Sequence, residues 1–248
     1  MRASSAPIAP QVASDVDLEY VSGGQRHQIP LYRCATLQFE LDCDPVREFP
    51  SFRGQRNFSG LWWLVSTGEH VGHESWLERD QLMLLDASPD VVGVASQPFR
   101  FHWNDGTSHV PDYFARYSDG SALVIDVRLD DQIRPSDARK FARSEITCEQ
   151  VGWEYQRVGS VDPVLLANMR WLSGYRHPRV LRAGIATELI SVFSATSPLL
   201  HGVRQVGDPI HVLPVLYHLL WHGRLVADFC SEPLSESTMI TAAKAVLS

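Results

Sequence analysis

Residues 109–128 read HVPDYFARYSDGSALVIDVR, two apolar runs that each hold one aspartate, Asp112 and Asp126, among residues of core type. An ionised carboxylate in such company needs a cation, a hydrogen-bond network or a function, because burying it alone is strongly unfavourable. The hinge at Ser118-Asp119-Gly120 decides how the two acids relate. A two-residue Asp-Gly turn pairs Asp112 with Val127 and sends Asp126 to the opposite face. A three-residue loop with a left-handed Gly120 sets Asp112 opposite Asp126. Two carboxylates so placed repel one another unless a cation lies between them. Mg2+ suits the position, since it takes one or two carboxylates and completes its shell with water and substrate phosphate. Glu78 shares a helical face with Leu82 and Leu85 and can complete an acidic pocket; Glu74, one turn earlier, is held in reserve. Arg128 lies on the strand face of Asp126, either as a fixed cation for a phosphate or as a structural ion-pair partner.

Several elements must position these groups. ALVIDVR is apolar on both faces, the mark of a central strand covered on both sides. Leu77, Leu84 and Leu85 recur at helical spacing and predict a helix over 74–86. Before it, LWWLV and His70–Gly72 form a hairpin about Ser66-Thr67-Gly68. Strand character is expected over Ile29–Leu41 and through VVGVASQPFRFHW, where Gln97 before Pro98 has at most a minor site role. A helix capped by Ser136 then returns the chain to a core strand, WEYQRV. Lys140 on that helix is a second reserve cation. Residues 1–16 read as a flexible tail, and 17–160 as an α/β core with a mixed central sheet flanked by helices. In 161–248, Asp162-Pro163, Ser197-Pro198 and Asp208-Pro209 each announce a helix. Pro214 marks the possible start of the last helix, and RLVADF and STMITA suggest a terminal hairpin. The result is a mostly α-helical, winged-helix-like module for protein partners or DNA.

The chain has 248 residues and a formal net charge of −7. That charge disfavours tight, stand-alone DNA binding, which needs a surplus of Lys and Arg on one face. The most basic local patch is Arg47, Arg53 and Arg56, the candidate DNA contacts. Four cysteines without C-x-x-C spacing, no signal-peptide pattern and no long apolar run lead to the expectation of a cytoplasmic protein with reduced thiols and no membrane partner. The histidines show neither H-E-x-x-H nor H-x-x-E-H spacing, and no metal is assigned to them.

Pro111-Asp112 followed by Asp126-Val127-Arg128, with Glu78 on the preceding helix, resembles the PD-(D/E)xK nuclease pattern. The longer string GQRNFSGLWW, ESWLERDQLMLLDASPDVV, QPFRFHW, HVPDYF and LVIDVR, in that order over residues 47–130, resembles the TnsA-like endonuclease subunit of heteromeric transposases. The resemblance implies a restriction-endonuclease-like core in which Asp112, Asp126 and Glu78 hold a divalent metal, with Val127 in the same metal set. It also implies Mg2+-dependent hydrolysis of DNA at the 5′ ends of a transposon, with Mn2+ able to substitute, beside a DDE-type transposase and an AAA+ ATPase. Arg128 stands where the wider pattern has lysine; it can stabilise charge but does not give up its proton. Two rivals are a self-sufficient restriction or repair endonuclease and a catalytically silent assembly subunit. Removing 162–248 is expected to leave the nuclease fold intact.

Overall fold

The computed structural model describes residues 15–47 and 58–244. The chain enters through a hairpin of Val16–Ser22 (β1) and Gln25–Pro30 (β2), closed by Gly23 and Gly24 at φ 57° and 74°. Two left-handed residues in a two-residue loop match the twist of the flanking strands, which favours glycine at both. The strand expected to continue through Leu41 stops at Pro30. Leu31–Thr36 is a 3-10 turn, and Phe39–Asp42 (α1) is a single helical turn. Gly60–Trp63 (β3) and His70–His73 (β4) pair as the expected hairpin and lead into Trp76–Ala87 (α2). The run expected as one strand over 91–103 breaks at Gln97-Pro98 into Val91–Ser96 (β5) and Arg100–Trp103 (β6), which lie in different sheets. Ser108–His109 (β7), Tyr113–Tyr117 (β8) and Ala122–Val127 (β9) follow. Pro135–Glu149 (α3) and Glu154–Val158 (β10) complete this part. Helix α3 begins two residues earlier than a cap at Ser136 would place it, with Arg134 at the cap position. Pro135 takes the first helical position, and Asp137 accepts from the Arg134 amide.

One sheet runs β10-β9-β8-β5, parallel only between β9 and β10, where α3 supplies the crossover; a second runs β2-β1-β6-β7. All six residues of β9 are buried. Leu123, Ile125 and Val127 pack with Tyr113 and with Leu82 of α2, whereas Ala122 and Val124 pack with Phe114, Trp153 and Cys148 of α3. The main sheet is thus covered by α2 on one face and by α3 and the second sheet on the other.

The remainder is Pro163–Ser173 (α4), Ala183–Val192 (α5), Ser197–Pro198 (β11), Leu199–Val206 (α6), Pro209–Trp221 (α7), Leu225–Val226 (β12) and Met239–Ala242 (β13). Asp162 and Asp208 cap α4 and α7 ahead of their prolines. Ser197-Pro198 does not open a helix but pairs with β13, and α7 starts at Pro209 and runs through Pro214. The strand order here is β11-β13-β12. This part is not packed alone. Met83 of α2 belongs to its buried cluster, with Trp62, Leu84 and Ala87 against it. Asp80 pairs with Arg170 at 2.7 Å and Asp86 with Arg176 at 3.6 Å. Helix α2 therefore serves two cores, and a cut near residue 160 would uncover one side of it. No helix among the described residues is long and apolar enough to cross a membrane.

Candidate active site

The β8–β9 connection is the three-residue loop. Tyr117 N–H donates to the Ser121 carbonyl and Gly120 has φ 88°. Tyr113 pairs with Ile125, which brings Asp112 opposite Asp126 along the backbone. The side chains then part. The Asp112 amide donates to the Ile125 carbonyl, so Asp112 and Tyr113 both answer to Ile125, a bulge-like offset that releases Asp112 from strict alternation. Its carboxylate accepts from the Val127 amide at 2.7 Å and faces the α2 side of the sheet.

Asp126 keeps the alternation of β9 and points the other way. It is 2% exposed, and its carboxylate accepts from Tyr155 Oη at 2.6 Å and contacts His109 Nε2 at 2.8 Å. The expected common pocket of Asp112, Asp126, Arg128 and Glu78 is thus formed without the Asp126 side chain. Nor is Asp126 paired with Arg128, which lies beyond the end of β9 and is exposed. His109 and Tyr155 carry no spacing signal that ties them to Asp126; only the fold brings them there.

A cavity of about 430 Å³ gathers Glu74, Ser75 and Glu78 from the start of α2, Asp112, Val127 and Arg128 from the hairpin, and Arg47. The start of α2 is fixed by a reciprocal cap. Ser75 accepts from the Glu78 amide, while the Glu78 carboxylate accepts from the Ser75 hydroxyl at 2.9 Å and the Glu74 amide at 2.7 Å. Glu78 therefore has a structural duty at the site where it could also bind a ligand. Glu74 bridges Arg47 at 2.9 Å and Gln97 Nε2 at 2.8 Å. Gln97, 1% exposed, is the one non-glycine residue with positive φ among the described residues, at 47°. Its amide donates to the Asp112 carbonyl, its carbonyl accepts from Val46, and its Oε1 is buried without a partner. A left-handed glutamine at the corner between two sheets stores backbone strain beside Asp112. Arg53 and Arg56 lie outside the described residues, and Lys140, on α3, does not line the cavity.

Burial raises the Asp112 carboxyl well above the ordinary aspartate range, and the charges of Asp126 and Glu78 push it further; the Val127 amide and Arg128 oppose them. Burial also raises Glu78, against the Glu74 amide and the Ser75 hydroxyl. Among the described residues no three His, Cys, Asp or Glu side chains gather as a metal cluster. Mg2+, however, needs only one or two carboxylates. Asp112 and Glu78, each made harder to ionise by its surroundings, fit such a cation, which would relieve the cost of their charge. No known protein family matches the sequence, and no curated protein is found to be similar to it.

Proposed function

We propose that the protein is a Mg2+-dependent DNA endonuclease subunit that hydrolyses a phosphodiester at the 5′ ends of a transposon, beside a DDE-type transposase and an AAA+ ATPase. One observation carries the reading. Asp112, Glu78 and Arg128, from three separate elements, converge on one cavity in which both carboxyls are raised by burial. The mixed sheet with α2 and α3 on its two faces, and Asp112 at the edge of its central hairpin, supports a restriction-endonuclease-like core. The order α5-β11-α6-α7-β12-β13, with sheet order β11-β13-β12, supports a winged-helix reading of the C-terminal part.

Asp112 and Glu78 are the residues that would hold Mg2+, with the main chain of Val127 on the same wall. The ion supplies charge neutralisation at the phosphate and a more acidic water. Arg47 and Arg128 present fixed positive charge to phosphate oxygens, and Arg128 stabilises charge that develops on them. The test is strand cleavage at transposon ends by the complex with its transposase and ATPase, in Mg2+ or Mn2+. Asp112→Ala is expected to abolish 5′ cleavage, and undiminished cleavage would end the catalytic reading. Cleavage of unrelated DNA by the protein alone would favour the self-sufficient endonuclease.

A second reading, the catalytically silent assembly subunit, has its own support. Asp126 is fully engaged by His109 and Tyr155, and Glu78 by the cap of α2. It expects no divalent-cation stabilisation of the folded protein and no effect of Asp112→Ala on cleavage.

A further inference from the structure

Two large aromatic side chains stand open at the mouth of this cavity. Phe58 is 62% exposed and Trp76 49%, their ring centroids lie 5.5 Å apart, and both line the cavity with Arg47, Glu74, Glu78, Asp112 and Arg128. Trp76 occupies the first position of α2, so the Ser75 cap fixes its backbone. The Arg79 guanidinium lies 4.2 Å from the centroid of its ring and is itself held by Asp80 at 2.7 Å. Single exposed aromatics are ordinary, but two in contact, one braced by a cation, beside paired carboxylates and two arginines are not explained by packing. Every nucleobase has a π-face, and stacking on aromatic platforms is how proteins hold unpaired bases without reading sequence.

Resting on the endonuclease reading, we infer that Phe58 and Trp76 stack on an unpaired DNA base next to the phosphate held at Arg47 and Arg128. The substrate at this site is then a strand unpaired around the scissile bond, not a fully stacked duplex. A base inside a duplex has both faces covered by its neighbours and offers the rings nothing, whereas an extruded or single-stranded base presents a free face.

The experiment is fluorescence anisotropy of the full chain at low salt without divalent cation, so that no cleavage intervenes. Three labelled DNAs are compared: a paired duplex, the same duplex with one bulged base, and the single strand. The bulged and single-stranded DNAs are expected to bind about tenfold more tightly than the duplex. Phe58→Ala or Trp76→Ala should remove that preference, and Trp76→Phe should restore most of it, with unchanged melting temperatures. Equal binding of all three DNAs, no binding of any, or a preference untouched in both alanine variants would overturn the inference. Stacking through Trp76 without divalent-dependent cleavage in the assembled complex would sink the endonuclease reading alone. Cleavage with indifferent alanine variants would sink only the platform.

Discussion

Asp112 carries a carboxyl that folding makes harder to ionise, and the consequence for stability has a definite sign. Its folded pKa is raised above the ordinary value, so the folded state binds the proton more tightly than the unfolded one. Stability from this group is full below about pH 3.9, the ordinary aspartate pKa, and is lost as pH rises through the elevated folded pKa. Asp112→Asn keeps an acceptor for the Val127 amide and removes the charge. Without divalent cation it should melt above wild type at pH 8, with the gap closing toward pH 4. A gap independent of pH would contradict the assignment. Arg128 makes a different case, being exposed and unpaired with Asp126. Arg128→Ala should leave the melting temperature unchanged yet cost about 2 to 4 kcal/mol of transition-state stabilisation in the proposed 5′ cleavage, read from kcat/KM, while Arg128→Lys retains most activity. Asp112 and Asp126 stand out in the sequence because acids are rare in core strands, but that their side chains part does not. Nor do the partners of Asp126, since His109 lies 17 residues away and Tyr155 lies 29 away on another strand.

Helix α2 does three things at once: its first turn walls the cavity, its middle fills the main core and its far side fills the second core. Ser75 governs the first. Ser75→Ala removes the acceptor for the Glu78 amide and a donor to the Glu78 carboxylate, and should cost about 1 kcal/mol, read as a fall of about 2 to 4 °C in melting temperature. Ser75→Thr should recover most of it; an unchanged melting temperature in the alanine variant would mean the cap holds nothing. The helix and the three-residue hairpin loop follow from local signals, apolar spacing and a left-handed glycine. The Ser75-x-x-Glu78 cap is just as local, yet it is passed over when Glu78 is weighed only as a ligand. The break at Gln97 has one local signal, Pro98, which argues against a continuous strand through it, but the alternation on both sides outweighs it. A glutamine at positive φ carries no compositional mark, and alternation on both sides of it reads as one strand until the chain changes sheet. The same blindness applies to Ser197-Pro198, a helix signal by type that the β13 edge takes up as a strand.

Over the whole molecule, the two parts share one element, α2, and a cut between β10 and α4 would strip one side of it. A chain ending at residue 160 would expose Met83, Leu84 and Ala87 and leave Asp80 and Asp86 without Arg170 and Arg176. Removing one partner of a buried ion pair costs about 3 to 5 kcal/mol, less where the partner is half exposed as Arg170 is and where the acid keeps a second cation, as Asp80 keeps Arg79. The truncated chain should therefore melt well below the full one, or self-associate in light scattering, contrary to the expectation of an intact nuclease fold; equal melting temperatures would show the parts to be independent. The net charge of −7 bears on the same scale. Specific DNA binding at physiological salt should be weak for the protein alone and strong with the transposase or ATPase proposed as its partners, checked by electrophoretic mobility shift.

Whether the cavity at Asp112 and Glu78 holds the proposed divalent cation is decided by diffraction at the manganese absorption edge from crystals soaked in Mn2+. The expected result is an anomalous peak in the cavity in contact with Asp112, absent from crystals of Asp112→Ala. No peak in wild-type crystals, with Asp126 still held by His109 and Tyr155, would contradict the proposal.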